Sequence, residues 1–353
     1  MASNYSVFDA DGHVYELDHE LVDYLDPPYQ GRKELLRNPF FPAGDGWHRM
    51  ALSLARGGGL VSGEITVEKW VGALDQAGME GSVLYATSGL AIGLIRDPGW
   101  AVALARGYNN WLSECLLKKS PRLKGMAVLP MQSPSDAVNE LRRAVTQLGM
   151  VGGILPGGGL RSFLGDSSYF PVYEAAQELD TVLTVHTAFP QKGLAFDLDQ
   201  LDRLTDLRCL LHPVGQMTQM TNMMFSGVFD RYPRLRVAFL EAGSAWVLCM
   251  LERMQREYEH WGHLLKDMQR EPKEHLRSGR IFFEAELSDE MLPYIVKVLG
   301  DQALVFASDY PHFTSPEGIA KNIREFQERP DLSEETKRRI LGENARRLYK
   351  IGQ

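Results

Sequence analysis

Several short apolar runs in this 353-residue sequence end on residues that can hold a metal or move a proton. The first run leads into Asp9-Ala10-Asp11-Gly12-His13, with Glu16 close behind. A run over 181–186 ends on His186, and one over 235–240 leads to Glu241-Ala242-Gly243. A run over 303–307 leads to Ser308-Asp309, then Tyr310-Pro311-His312. Asp11 and His13 are two apart, so on an extended backbone they share one face. His212 stands in Leu-Leu-His-Pro. Imidazoles and carboxylates brought together suit zinc, manganese or iron. Such charges clustered without partners are costly, and a divalent cation removes that cost.

Elements must exist to bring these residues together. The pattern predicts eight strands, over 5–10, 81–86, 123–129, 151–155, 181–186, 235–240, 281–284 and 303–307. Most are apolar throughout, as parallel strands buried on both faces are. Helical patterns lie between them, over 66–79, 98–118, 133–148, 169–179, 244–263, 289–299 and 316–327, and a last one over 333–349 closes the chain. Ser133 and Ser333 are placed as helix-capping acceptors. Strand–helix alternation repeated eight times predicts one (β/α)8 TIM barrel over residues 1–353. A Rossmann sheet would want a Gly-rich turn after the first strand, which ends in Asp-Ala-Asp-Gly-His instead. In a barrel, strand C-termini point at one shared pocket, so the candidate residues meet there.

Two regions read as irregular. Residues 22–63 are rich in Pro, Gly and aromatics and sit where a barrel carries a cap or lid. Residues 209–229 carry a Met stripe (Met217, Met220, Met224) expected to be core or subunit contact. Tyr15, Trp47, Phe189, Tyr310 and Phe313 are candidates for an aromatic lining of the mouth.

The candidate metal set is Asp11, His13, Glu16, His186, Glu241 and Asp309. The candidate catalytic set is Asp309, Glu241 and His212, with Asp309 taking a proton and Glu241 or His212 shuttling it. Simpler roles exist for each: Asp11 as a loop cap, His13 and His186 as core histidines, Asp309 and His212 as helix caps, Glu241 as the partner of Arg236. His19, His48, His260, His263, His275 and His312 read as surface residues.

Net charge is −8 with no basic block, which argues against nucleic acid and anionic membrane partners. Three cysteines with no CxxC pair point to a reducing cytoplasm rather than a disulfide framework. The sequence starts without a signal-peptide pattern and has no run of roughly 18 apolar residues that could span a bilayer. A small-molecule substrate and a homo-oligomer are expected, with a hetero-oligomer left open.

At these residues the chain resembles the amidohydrolase-related family, which includes aminocarboxymuconate-semialdehyde decarboxylase and the non-oxidative aromatic-acid decarboxylases. The matching pieces are 9–16, His186, His212-Pro213, Phe239-Leu-Glu-Ala-Gly243, Ala307-Ser-Asp-Tyr-Pro311 and Gly342-Glu-Asn-Ala-Arg-Arg-Leu-Tyr349. The resemblance implies a (β/α)8-barrel whose metal is held by Asp11, His13, His186 and Asp309. Two positions differ from the family pattern. The first-strand pair is Asp-x-His rather than His-x-His, and Glu241 before Ala-Gly stands where a His before Gly-Gly is common. A Glu can bind metal or act as a base but cannot play the cationic role of a His.

The leading reading is a metal-dependent hydrolase or non-oxidative decarboxylase acting on a small carboxylate- or carbonyl-bearing substrate, with zinc the first expected ion. The carboxylate excess suggests a second reading, a dinuclear iron or iron–manganese oxygenase with two ions. A third is a barrel that has lost its chemistry and serves as a non-catalytic partner subunit.

Overall fold

The computed structural model describes residues 5–42, 66–186, 203–312 and 314–352. Among these, eight strands pair in chain order, each parallel to its neighbour: β1 (Phe8–Val14), β2 (Gly81–Ala86), β3 (Leu123–Val128), β4 (Gly152–Pro156), β5 (Val182–His186), β6 (Arg236–Leu240), β7 (Ile281–Glu284) and β8 (Leu304–Val305). Parallel neighbours require a crossover, and helices supply it. Both faces of the sheet are covered, so these strands lack the apolar–polar alternation of a one-sided sheet. The ring closes where Ala10 N–H donates to the Phe306 carbonyl at 2.9 Å and Asp309 N–H donates to the Asp11 carbonyl at 2.9 Å. This is the (β/α)8-barrel predicted from the alternation.

β1 begins later than predicted and extends to Val14, taking the whole Asp9–His13 stretch into the strand. Its register against β2 slips by one residue between Asp9 and Gly12. Such a bulge re-aims side chains locally. Gly12 is required here because a Cβ would lie 2.4 Å from the Trp70 ring and 2.6 Å from Ser82 Oγ.

The helices follow their local signals. Thr66 accepts from Lys69 N–H to start Val67–Ala77, and Gly78, at φ 73°, ends it. Ser333 caps the closing helix by accepting from Thr336 N–H at 3.1 Å. Ser133 does not cap Pro134–Gln147 as expected. Its hydroxyl instead donates to the Asp136 carboxylate in the first turn.

Residues 209–229 are not irregular. A helix runs over Leu204–Phe225 straight through Pro213. An interior proline costs about 3 kcal/mol or more. The helix recovers this by burying Leu207, Leu211, Met220, Met223 and Met224. It is also pinned by Gln216, whose amide donates to the Val185 and Leu240 carbonyls at 3.0 and 2.7 Å. The Met stripe therefore belongs to the core. Of the expected lid, residues 43–63 lie outside the described residues. The preceding stretch packs Tyr29 and Phe40 edge-on against Trp100, at 5.1 and 5.4 Å. Among the described residues, no helix is long and apolar enough to cross a membrane. The three cysteines are free.

Candidate metal centre

Four side chains from three parts of the barrel converge at the strand C-termini. His13 is fixed first. Its Nδ1–H donates to the Ala86 carbonyl at 2.9 Å, and its own carbonyl accepts from Trp70 Nε1–H at 3.2 Å. This leaves the Nε2 lone pair aimed into the barrel mouth, the orientation a carbonyl partner gives a metal-binding imidazole. Nε2 lies 3.5 Å from Asp11 Oδ1 and 3.5 Å from Asp309 Oδ1. His186, the last residue of β5, places Nε2 3.4 Å from Asp11 Oδ2.

These spacings fit a shared cation. Two ligands roughly 2.1 Å from one ion at a tetrahedral angle lie roughly 3.4 Å apart. Asp11 Oδ1, His13 Nε2 and His186 Nε2 are buried and, among the described residues, lack a hydrogen-bond partner. Buried polar atoms are rarely left so, and an ion is one explanation for a group of them. Asp11, His13 and His186 offer donor atoms close enough for one ion, as do His13, Asp309 and His312. Asp9, two residues before Asp11, is excluded. Its carboxylate accepts from Ser82 Oγ, Ser308 Oγ and the amides of Ser308 and Asp11 at 2.6 to 3.2 Å.

The electrostatics agree. Burial pushes the Asp11 carboxyl well above the usual range, and Asp309 and Asp9 add to it. Burial raises Asp309 to about 8 against the pull of His186, and Glu241 to about 7 with Asp309 adding. Burial acts in the opposite direction on His13 and His186, lowering both. The protein alone thus holds acids and bases in their neutral forms, and a cation would restore the carboxylate charges.

Both strand-end acids carry backbone strain. Glu241 has φ 58° and Asp309 has φ 53°. Left-handed backbone is tolerated by Asp but disfavoured for Glu, and such strain concentrates at functional sites.

Not every predicted residue joins this cluster. Glu16 faces away from it, accepting from the amides of Thr87 and Gly89, and burial raises it to about 7. Glu241 stands one step out, its Oε2 3.4 Å from His186 Nδ1 and 3.6 Å from His212 Nδ1. It does not pair with Arg236, which binds Asp180 at the other end of the barrel strand. Two histidines read as surface residues are not. His275 is buried against Asp230 at 3.0 Å, a structural contact. His312 stacks on the His13 ring at 4.1 Å between centroids. The proline before it obscured its place, because Tyr-Pro-His reads as an exposed turn. Tyr15 and Tyr310 are buried, Tyr15 beside His312 and Tyr310 edge-on to Trp70.

Glu284 was missed by the sequence reading. It ends β7, is buried, accepts from Ala242 N–H at 3.1 Å, and is raised well above the usual range by burial, Glu286 and Asp11. The strand-end rule that found Asp309 would have found it. With Glu241, Asp309, His212 and Arg208 it lines a cavity of about 370 Å³ beside the metal cluster, a size for a small molecule.

Comparison with known proteins defines the class. Residues 81–351 match the family described as amidohydrolase, and the chain belongs to that family. It is 26% identical over 268 residues to 2-amino-3-carboxymuconate-6-semialdehyde decarboxylase of Dictyostelium discoideum, covering 74% of this chain and 70% of that protein. It is also 26% identical over 305 residues to gamma-resorcylate decarboxylase of Polaromonas sp. strain JS666, covering 81% and 88%. The solved 5-carboxyvanillate decarboxylase of Novosphingobium aromaticivorans, complexed with manganese and 4-hydroxy-3-methoxy-5-nitrobenzoic acid, shares the fold. Its TM-score is 0.77 at 19% identity, over 98% of this chain and 96% of that one. The chain is a metal-dependent enzyme of the hydrolase or carboxy-lyase kind. Its relatives do not favour the dinuclear oxygenase or the non-catalytic subunit.

Proposed function

We propose that this chain is a non-oxidative decarboxylase that releases carbon dioxide from a small aromatic carboxylate, using one divalent cation held by Asp11, His13, His186 and Asp309. The observation that carries the reading is the convergence of buried donor atoms of Asp11, His13 and His186 that lack hydrogen-bond partners. Two nitrogens and two carboxylates suit zinc and manganese alike, and manganese is the ion named for the solved relative.

When bound, the cation supplies positive charge that holds the substrate's carboxylate. The residues do the rest. Asp309 borders both the cluster and the cavity, and gives a proton to the ring carbon that bears the carboxylate. The carbon–carbon bond then breaks, its electron pair stays on the ring, and carbon dioxide leaves. Glu241, at about 7, and His212, 3.6 Å from it, line the same cavity and return a proton to Asp309. Glu16 is assigned to holding the turn after β2 rather than the metal.

The test is a panel of hydroxylated benzoates with metal-loaded protein in D2O, followed by NMR. Carbon dioxide release with one deuterium at the carbon that lost the carboxylate is expected. Water-derived oxygen in the product of amide or ester analogues, with no carbon dioxide from the benzoates, makes the enzyme a hydrolase instead.

A further inference from the structure

The turn after β8 folds back on itself, with His312 N–H donating to the Asp309 carbonyl at 2.7 Å. The His312 ring is held at both ends. Nδ1 meets Asp309 Oδ1 at 2.9 Å, and Nε2 meets Thr87 Oγ1 at 2.9 Å. With Asp309 ionised, as a bound cation would hold it, the carboxylate only accepts, so the shared proton then sits on Nδ1 and the Thr87 hydroxyl donates to Nε2. Thr87 is fixed in turn, its amide donating to Glu16 Oε2 at 3.1 Å. The ring also lies face to face with His13, at 4.1 Å and 27° between planes. Asp309 Oδ1, the atom His312 grips, is the same atom that lies 3.5 Å from His13 Nε2.

We propose that His312 is a positioning residue, clamped between Thr87 and Asp309, that orients the Asp309 carboxylate toward the cation site, with Glu16 setting the clamp through the turn at Thr87. The inference rests on Asp309 belonging to that site. It gives Glu16 and Thr87 a place in the machinery although neither faces the ion. Asp309 is part-exposed, so packing alone does not fix its carboxylate. Partners that orient metal ligands this way are worth about 10–100-fold in metal affinity or activity.

The experiment compares His312→Phe, His312→Asn and Thr87→Val. The first keeps a ring on His13 but loses both hydrogen bonds. The second keeps a donor near Nδ1 but cannot reach Thr87. The third removes only the outer anchor. Each is checked for folding by circular dichroism. Metal affinity is then read by chelator competition, and kcat and KM are read separately. His312→Phe is expected to lose about 10-fold or more in metal affinity and in kcat, with KM little changed. His312→Asn should recover most of the affinity, and Thr87→Val should fall between. Unchanged affinity and kcat in His312→Phe overturn the proposal. So does a loss in His312→Asn as large as that in His312→Phe, which would show that a donor near Nδ1 does not hold the Asp309 carboxylate.

A readout without metal separates this from the decarboxylase reading. In metal-free protein held well above pH 8, where Asp309 is ionised, nitrogen NMR should show His312 protonated on Nδ1, with that state lost in Asp309→Ala. A His312 protonated on Nε2 in both proteins contradicts the clamp, whatever the substrate proves to be.

Discussion

The amide of Asp309 donates to the carbonyl of Asp11 at 2.9 Å. These residues stand near opposite ends of the chain, and this bond both closes the barrel and brings each carboxylate to the His13 ring, 3.5 Å from Nε2. Barrel closure and metal-site assembly are therefore one event. A chain that fails to close cannot present the site, and a bound ion should hold the closure together.

The first prediction concerns that coupling. A ligand that binds only the folded state at 100 times its dissociation constant stabilises by about 2.7 kcal/mol. Adding manganese or zinc to chelator-treated protein should raise the melting temperature by roughly 3–4 °C for a chain of this size. Differential scanning calorimetry checks it, and an unchanged melting temperature at millimolar metal counts against an ion in this site.

The second concerns pH in the metal-free protein. The folded values of Asp309 and Glu241 are raised to about 8 and about 7, from 3.8 and 4.5. The folded state then binds more protons than the unfolded one, so these groups lose stability as pH rises. His13 and His186 are lowered from 6.5, and their opposite contribution ends once pH passes 6.5. Between pH 6.5 and 8 only the acid slope remains, and the metal-free melting temperature should fall. Saturating metal should flatten or reverse that slope. A rise across this window without metal would mean that the buried acids are already ionised.

The third concerns strain at Glu241. Its left-handed backbone costs on the order of 1–3 kcal/mol. Glu241→Gly removes the strain and a buried acid together. Its metal-free form should be more stable by about 1 kcal/mol in urea titrations, while kcat falls 100-fold or more by the usual size of a lost proton-transfer group. Glu241→Gln should lose the same activity without the gain in stability. Full activity in Glu241→Gln would remove Glu241 from the proton path.

The fourth concerns Gly12. A methyl group there would meet Trp70 at 2.4 Å and Ser82 Oγ at 2.6 Å. Gly12→Ala should cost about 1–3 kcal/mol and displace Trp70 from the His13 carbonyl. Metal affinity should fall with stability. A Gly12→Ala protein with unchanged melting temperature and metal content would show that the β1 bulge is slack.

Most of the barrel was legible because parallel strands buried on both faces leave short apolar runs, and β2 and β7 fall on the predicted residues. His13, His186 and Asp309 were legible for a related reason, since each follows such a run. The Leu204–Phe225 helix was not, because Pro213 signals a break and only tertiary burial of the Met stripe overrides it. Glu16 looked like a ligand because it lies near His13 in sequence, but the bulge and the turn at Thr87 take it elsewhere. His312 needed the third dimension, because it is brought in by a turn that reads as surface. Glu284 did not, since it ends a strand placed over the same residues from the sequence.

The most direct test of the metal centre is elemental analysis of freshly purified protein beside an Asp11→Ala, His13→Ala double variant. About one divalent ion per chain in the native protein and none in the variant is the predicted result. Equal metal content in both, or none in either after reconstitution, would contradict a cation held by Asp11, His13, His186 and Asp309.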